Sequence, residues 1–259
     1  MLAGQTTDAK AQQAGAGEYA LAALANVVVF SAMGALRAHR RGDESVRRAA
    51  AISAAGAGAH FAGKALVSDE DPAVRWLARY TAVFAASVTR SGMEGIPIFS
   101  CVSVPVAIVW LNSSGCERPA VTFDAATIVG AILAAPDGDL DVAESVRSGA
   151  LVFRAPRAIR PSRFGWTLGS TVTYQEMEME RQSLRHELLH VLQHDMLQLT
   201  VGRPVESWLA DLVGEPWRGR LAHLDLGVYA LIGGALSVTP VDPLVPLERE
   251  ARILDRVRR

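Results

Sequence analysis

The longest apolar run lies near the start of the chain. Residues 19–36, YALAALANVVVFSAMGAL, carry no charged side chain, and 18 uncharged positions just reach the length a membrane-spanning helix needs. Arg37, Arg40, Arg41, Arg47 and Arg48 follow at once, the flank expected on the cytoplasmic side of a span. A cleavable signal peptide fits less well. The run is too long, no strongly basic segment precedes it, and arginine-rich sequence stands where a small-residue cleavage site would be. Residues 1–17 are polar and small and read as a disordered tail. A second segment, Ala49–Leu66, is rich in Ala and Gly and interrupted by His60 and Lys64; such small residues permit close helix approach. Residues 19–66 therefore read as a helical hairpin, in or on a membrane.

Helical spacing returns over residues 72–90, with Val74, Leu77, Ala78, Ala82, Val83 and Ala86 on one face and Arg75, Arg79 and Arg90 assigned to the wet side. Gly92 and Gly95-Ile96-Pro97 break it. The texture then turns β-branched. Ile98–Leu111 and Pro119–Phe123 read as a hairpin turning at Asn112–Gly115. Ala125–Ala135 reads as a short helix closed by Pro136-Asp137-Gly138, and Leu151–Arg154 and Trp166–Tyr174 as strands. Gln175–Leu199 holds neither Pro nor Gly and reads as a long helix. Leu226–Val238 is apolar but too short for a span. Helices, then strands, then helices argue for an α+β fold: an N-terminal helical hairpin, then a small mixed sheet and a helical core. The expected division is 1–17 tail, 18–92 helical and membrane-associated, and 93–259 an α+β metal-binding domain.

Composition narrows the function. The 259 residues carry a net charge of −1, so no basic excess exists to drive nucleic-acid binding. Half the residues are hydrophobic, which excludes a largely disordered chain, and the mean hydropathy of +0.19 agrees with a membrane association. Two cysteines, Cys101 and Cys116, cannot build a disulfide framework. With a turn at 112–115, Cys116 faces residues near 111, so the two are not expected to pair.

One segment carries chemistry. His186-Glu187-Leu188-Leu189-His190 is H-E-x-x-H, inside the Pro- and Gly-free helix, with Leu184, Leu188, Val191 and Leu192 supplying a buried face. Positions i and i+4 share a helix face, so both imidazoles can reach one zinc ion, and Glu187 stands beside them as a base toward a water. His194 lies one more step along, rotated away from His186, and reads as a supporting or surface residue. His223 reads as a surface histidine, and His39 and His60 as structural.

The motif resembles that of the zincin metalloproteases, strongly over His186–His190 and weakly over the preceding strand Trp166–Tyr174. The resemblance implies that His186 and His190 bind Zn2+, that Glu187 is the general base, and that the strand is an edge to which an extended peptide pairs. The metzincin extension fails, because Gln193 and Met196 stand where Gly and His belong. A gluzincin-like site takes its third ligand from a later helix. Pro246-Leu247-Glu248-Arg249-Glu250-Ala251 is similar to the P-x-E-x-E-A segment of membrane-linked bacterial zincins. Glu248 is favoured there, with Glu250 and then Glu206 as alternatives, and Asp211 further behind. Arg252 replaces the aspartate of the related E-x-x-A-D helix. Glu248 and Glu250 also fit the solvated face of a charged terminal helix.

The expectation is a zinc-dependent, membrane-associated metallopeptidase acting on a peptide or protein, without a nucleic-acid partner and with its oligomeric state open. A non-catalytic membrane-associated zinc-binding module is the alternative, and a helical membrane protein with an accidental motif the third reading.

Overall fold

A computed structural model gives the three-dimensional structure. The described residues are 3–67, 69, 71–116, 118–155, 165–175, 180–213, 219, 222–227 and 245–256. Among them, side chains are described except at 3–15, 175, 180–183, 245–246, 248–249 and 255–256.

The fold is α+β. Helix α1 spans Ala3–Arg41, α2 Val46–Val67 and α3 Pro72–Glu94. The segment expected as a disordered tail is thus the opening of α1. Among the described residues one helical segment, Ala16–Arg41, is long and apolar enough to cross a membrane by length and composition, a test that a signal sequence also passes. Leu21, Leu24, Val28 and Val29 on it are each more than half exposed. The helices approach closely through small residues. A Cβ on Gly56 of α2 would stand 2.7 Å from the Ala85 carbonyl of α3, so only glycine fits there.

Helix α3 starts on an Asp71 cap bonded to the Ala73 amide, with Pro72 at its first position, and ends at Gly95 in the left-handed region, as capping rules favour. Its arginines are not on a wet side. Arg79 is 1 % exposed and donates to the Ser148 carbonyl and to Ser170 Oγ. Arg75 pairs with Glu144 and Arg90 with Glu94. The exposed side of α3 carries Trp76, Leu77 and Phe84 instead. Glu144, Ser148 and Ser170, distant in sequence, pull Arg75 and Arg79 inward, and hydropathy spacing does not register them.

Among the described residues two four-stranded mixed sheets follow, where a single small sheet was expected. The first has the order β1 Ser103–Val106, β2 Val109–Asn112, β3 Val121–Asp124 and β8 Leu224–Asp225, with β3 and β8 parallel. Ile98–Leu111 is therefore not one strand. It turns at Ala107, whose φ is +51°, and Ser103 pairs with Asn112. The next loop then folds back, with the Ser113 amide bonded to the Val102 carbonyl. That second reversal brings Cys116 to Cys101, and the two form a disulfide, contrary to the expectation from a single turn at 112–115.

Helix α4, Ala125–Ala134, has the expected bounds within one residue. The second sheet has the order β4 Asp139–Leu140, β5 Leu151–Ala155, β7 Thr171–Gln175 and β6 Gly165–Leu168, with α5 Val142–Ser148 between β4 and β5. Trp166–Tyr174 is thus a hairpin, reversing at Gly169 and Ser170, and β6 is an edge of this sheet.

Helix α6, Glu180–Leu197, continues through a π-helical turn, Gln198–Gly202, into α7, Arg203–Val213, and α8 spans Val245–Arg256. Leu184, Leu188 and Val191 of α6 pack on Val152, Val172 and Tyr174 of the second sheet. Leu189 and Leu192 pack on Phe61, Ala82, Ala251 and Leu254. Helices α2 and α3 therefore share a core with the helix bearing the histidines. The apolar stretch Leu226–Val238 falls almost wholly outside the described residues.

Candidate metal centre

His186 and His190 lie one turn apart on α6, half-buried, with their rings nearly perpendicular. Their Nε2 atoms are 3.2 Å apart. Two ligands bound tetrahedrally to one zinc ion, each at about 2.0–2.1 Å, stand about 3.3 Å from one another. The separation of the two nitrogens matches that of two ligands on one ion.

A second observation fixes the chemistry of one ring. Gln193 Nε2 donates to Glu250 Oε2 at 2.6 Å and to the Leu247 carbonyl at 2.9 Å. Both partners are acceptors, so the amide orientation is determined. Gln193 Oε1 then faces His190 Nδ1 at 2.7 Å, and an acceptor there requires hydrogen on Nδ1. In the neutral ring this leaves the lone pair on Nε2, the atom turned to His186. A hydrogen bond on the far nitrogen that sets the near one for a metal is how such ligands are ordinarily supported.

Glu250 is the anchor behind Gln193. Its carboxylate takes Lys64 Nζ at 3.0 and 3.1 Å and Asn26 Nδ2 at 2.9 Å. Burial pushes the Glu250 pKa up, but the Lys64 charge and three hydrogen-bond donors outweigh it and hold the carboxyl below its usual range. Glu250 thus stands one residue behind the histidines, linked to them through Gln193. Glu248 sits on the same turn of α8, between Leu247 and Glu250, both bonded to Gln193; its side chain lies outside the described residues.

Glu187 is 8 % exposed. Thr167 of β6 places its hydroxyl 2.6 Å from Glu187 Oε2 and 3.1 Å from the Glu187 carbonyl. Gly165 lies two positions before Thr167, so both face α6. A Cβ at 165 would stand 2.9 Å from Glu187 Cγ and Oε1 and 2.8 Å from the Thr173 carbonyl. Glycine therefore leaves the room that the carboxylate occupies.

The other candidates lie elsewhere. Glu206 of α7 is buried, accepts from Gln198, Arg118 and the Gly227 amide, and is not brought to the histidine pair. Burial pushes its pKa up, and the nearby Asp225 charge adds to the rise. Asp211 is exposed toward the end of α7, and His223 is exposed beside β8. His194 is buried rather than at the surface, 3.6 Å from Asp124 Oδ2. Burial would lower its pKa, but Asp124, Asp195 and Asp225 together raise it. Asp225 itself meets Arg203 at 2.9 Å and Arg118 at 3.4 Å. Burial works against its ionisation, and the two guanidiniums prevail, holding it at about 2. Among the described residues no group of three His, Cys, Asp or Glu could hold a metal ion.

Sequence reasoning missed Gln193, Thr167 and the role of Lys64. A lysine inside the otherwise uncharged small-residue stretch Ala49–Leu66 was the available signal, since such a charge calls for a carboxylate partner. Comparison with known proteins finds no matching family model, no matching curated protein and no matching solved structure.

Proposed function

We propose that the chain is a membrane-associated, zinc-dependent metallopeptidase with Glu187 as its general base. The reading rests on one observation, the two Nε2 atoms 3.2 Å apart on the helix face beside Glu187. His186, His190 and a third ligand, for which Glu248 on the adjoining turn of α8 is the candidate, would hold the ion. Zinc bound there would polarise a scissile carbonyl and acidify water.

The chain's own groups supply the rest. Glu187 takes the proton of the attacking water and returns it to the leaving amine. Thr167 fixes one oxygen of that carboxylate. Gln193, Glu250 and Lys64 hold His190 in the metal-binding tautomer. The outer edge of β6, next to Glu187 and without a neighbouring strand among the described residues, is where an extended peptide would add as a strand. The exposed apolar side of α1 supports seating in a membrane.

The test is zinc content by elemental analysis of the purified chain, His186→Ala, Glu248→Ala and Glu187→Gln, beside cleavage of a peptide library. One zinc per chain, lost in the first two variants and kept without turnover in the third, is expected. Zinc without cleavage of any peptide by the wild type would replace this reading with a non-catalytic zinc-binding module. No zinc after reconstitution would sink both.

A further inference from the structure

A cavity of about 350 Å³ opens between the end of α1, the end of α3 and the start of α7. Five arginines line it, Arg37, Arg41, Arg90, Arg118 and Arg203, with Glu94 the one carboxylate on its wall. This lies 13 positions beyond His190 on the continuous α6–α7 run, about 20 Å at 1.5 Å per residue, and so is separate from the candidate metal centre.

The charge inventory leaves a cation over. Glu94 engages Arg90, Asp43 engages Arg41, and Asp225 and Glu206 lie against Arg118 and Arg203. Arg37 has no acidic partner within ion-pair distance among the described residues and donates only to the Thr200 carbonyl, at 2.9 Å. Arg203 is 1 % exposed and its Nε has no hydrogen-bond partner among the described residues. Clustered guanidiniums with surplus donors are costly to hold together and are matched by an oxyanion with several acceptor oxygens. The volume is that of a small-ligand site.

We propose that this cavity binds a phosphate-bearing anion, received on Arg37, Arg90 and Arg118. Two sources share that chemistry. Arg37 and Arg41 cap the membrane-length helix, which places a lipid phosphate within reach, and a free phosphate or phosphomonoester would meet the same donors.

The full chain in neutral detergent is titrated by calorimetry with inorganic phosphate and with glycerol 3-phosphate, and its melting temperature is compared in nanodiscs of phosphatidylcholine and of phosphatidylglycerol. Saturable binding of the soluble probes assigns a free phosphate; stabilisation confined to phosphatidylglycerol assigns a lipid headgroup. In either case Arg37→Gln and Arg90→Gln are expected to weaken the effect by about tenfold or more. The exposed Arg147→Gln should leave it unchanged. Arg37→Lys, which keeps the charge and loses the fork, should fall between. Arg37→Gln should not lower the melting temperature of the ligand-free protein, whereas a purely structural Arg37 would. Absence of binding to all four probes overturns the proposal, as does equal weakening in Arg147→Gln.

Discussion

The run from α6 to α7 carries two polar centres that are finished in opposite ways. Around Asp225 both carboxylates are engaged inside the protein, with Arg203 and Arg118 on Asp225 and Gln198 donating to both Asp225 and Glu206, while Arg118 and Arg203 also line the arginine cavity. Around His190 the hydrogen bonds lie on the outer nitrogen, and the inner nitrogens of two rings face each other. A closed network of this kind specifies a fold. A centre held from behind, with two imidazole nitrogens brought together in front, has the arrangement that the proposed metal site requires.

The sharpest separation of the two is expected from Glu187→Gln. Loss of a positioned general base lowers turnover by about 10²–10⁴-fold, while zinc content and melting temperature stay near wild type because the amide can still accept from Thr167. Peptide cleavage and elemental analysis on the same sample check this. Full activity in this variant would remove Glu187 from the mechanism.

Asp225→Asn should do the reverse, costing stability rather than chemistry. It strands the buried Arg203 and leaves Arg118 with Glu206 alone, a loss of about 3–5 kcal/mol, read by urea unfolding. The pH dependence has a definite sign. Asp225 is held at about 2 against an ordinary 3.8, so its contribution is present above about 4 and is lost as pH falls toward 2. His194 is raised above 6.5, so its contribution is present below that value and fades as pH rises through its folded pKa. The wild type should therefore lose stability at both ends, and Asp225→Asn should weaken the acid limb, of which Glu250, also held low, keeps a part. An unchanged acid limb in the variant would place that sensitivity elsewhere.

The disulfide guards the same network. Cys116 Sγ lies 3.8 Å from Ser103 Oγ, which also accepts from Arg203. Replacing both cysteines by serine opens a loop with a sequence separation of 15, a cost of about 3 kcal/mol on chain-entropy grounds. Zinc binding per folded chain should be untouched. If zinc fell with it, the two centres would be coupled through α6.

The contrast also marks what a sequence can disclose. The helix face of Leu184, Leu188, Val191 and Leu192 and the vertical pairing of His186 with His190 follow from local periodicity, and the structure has both. The turn at Ala107 does not, since neither glycine nor asparagine marks a left-handed residue there, and the disulfide was lost with it. Arg79 is buried because Ser148 and Ser170 come to it from positions remote in sequence, a pairing that helical spacing cannot register. Gln193 entered only as a departure from a motif. Its role depends on Glu250, which depends on Lys64, and each link joins a different helix.

That chain of links permits the smallest and most discriminating test. Gln193→Leu keeps the volume and the helix but removes the acceptor from His190 Nδ1 and the donor to Glu250. With the tautomer no longer fixed, zinc affinity should fall about 10–100-fold, measured by competition with a chromophoric chelator. The Lys64–Glu250 pair remains, so the melting temperature should fall far less than in Asp225→Asn. Gln193→Glu distinguishes orientation from mere contact. A carboxylate still accepts from Nδ1 and would strengthen the ligand, but it repels Glu250 across what was a 2.6 Å hydrogen bond. Retained zinc affinity with lowered stability would show that the acceptor on His190 matters for the metal, while the donor to Glu250 matters for the fold. Equal loss of both would mean that the relay acts as one unit, and the division drawn between the histidine centre and the Asp225 network would fail at α8.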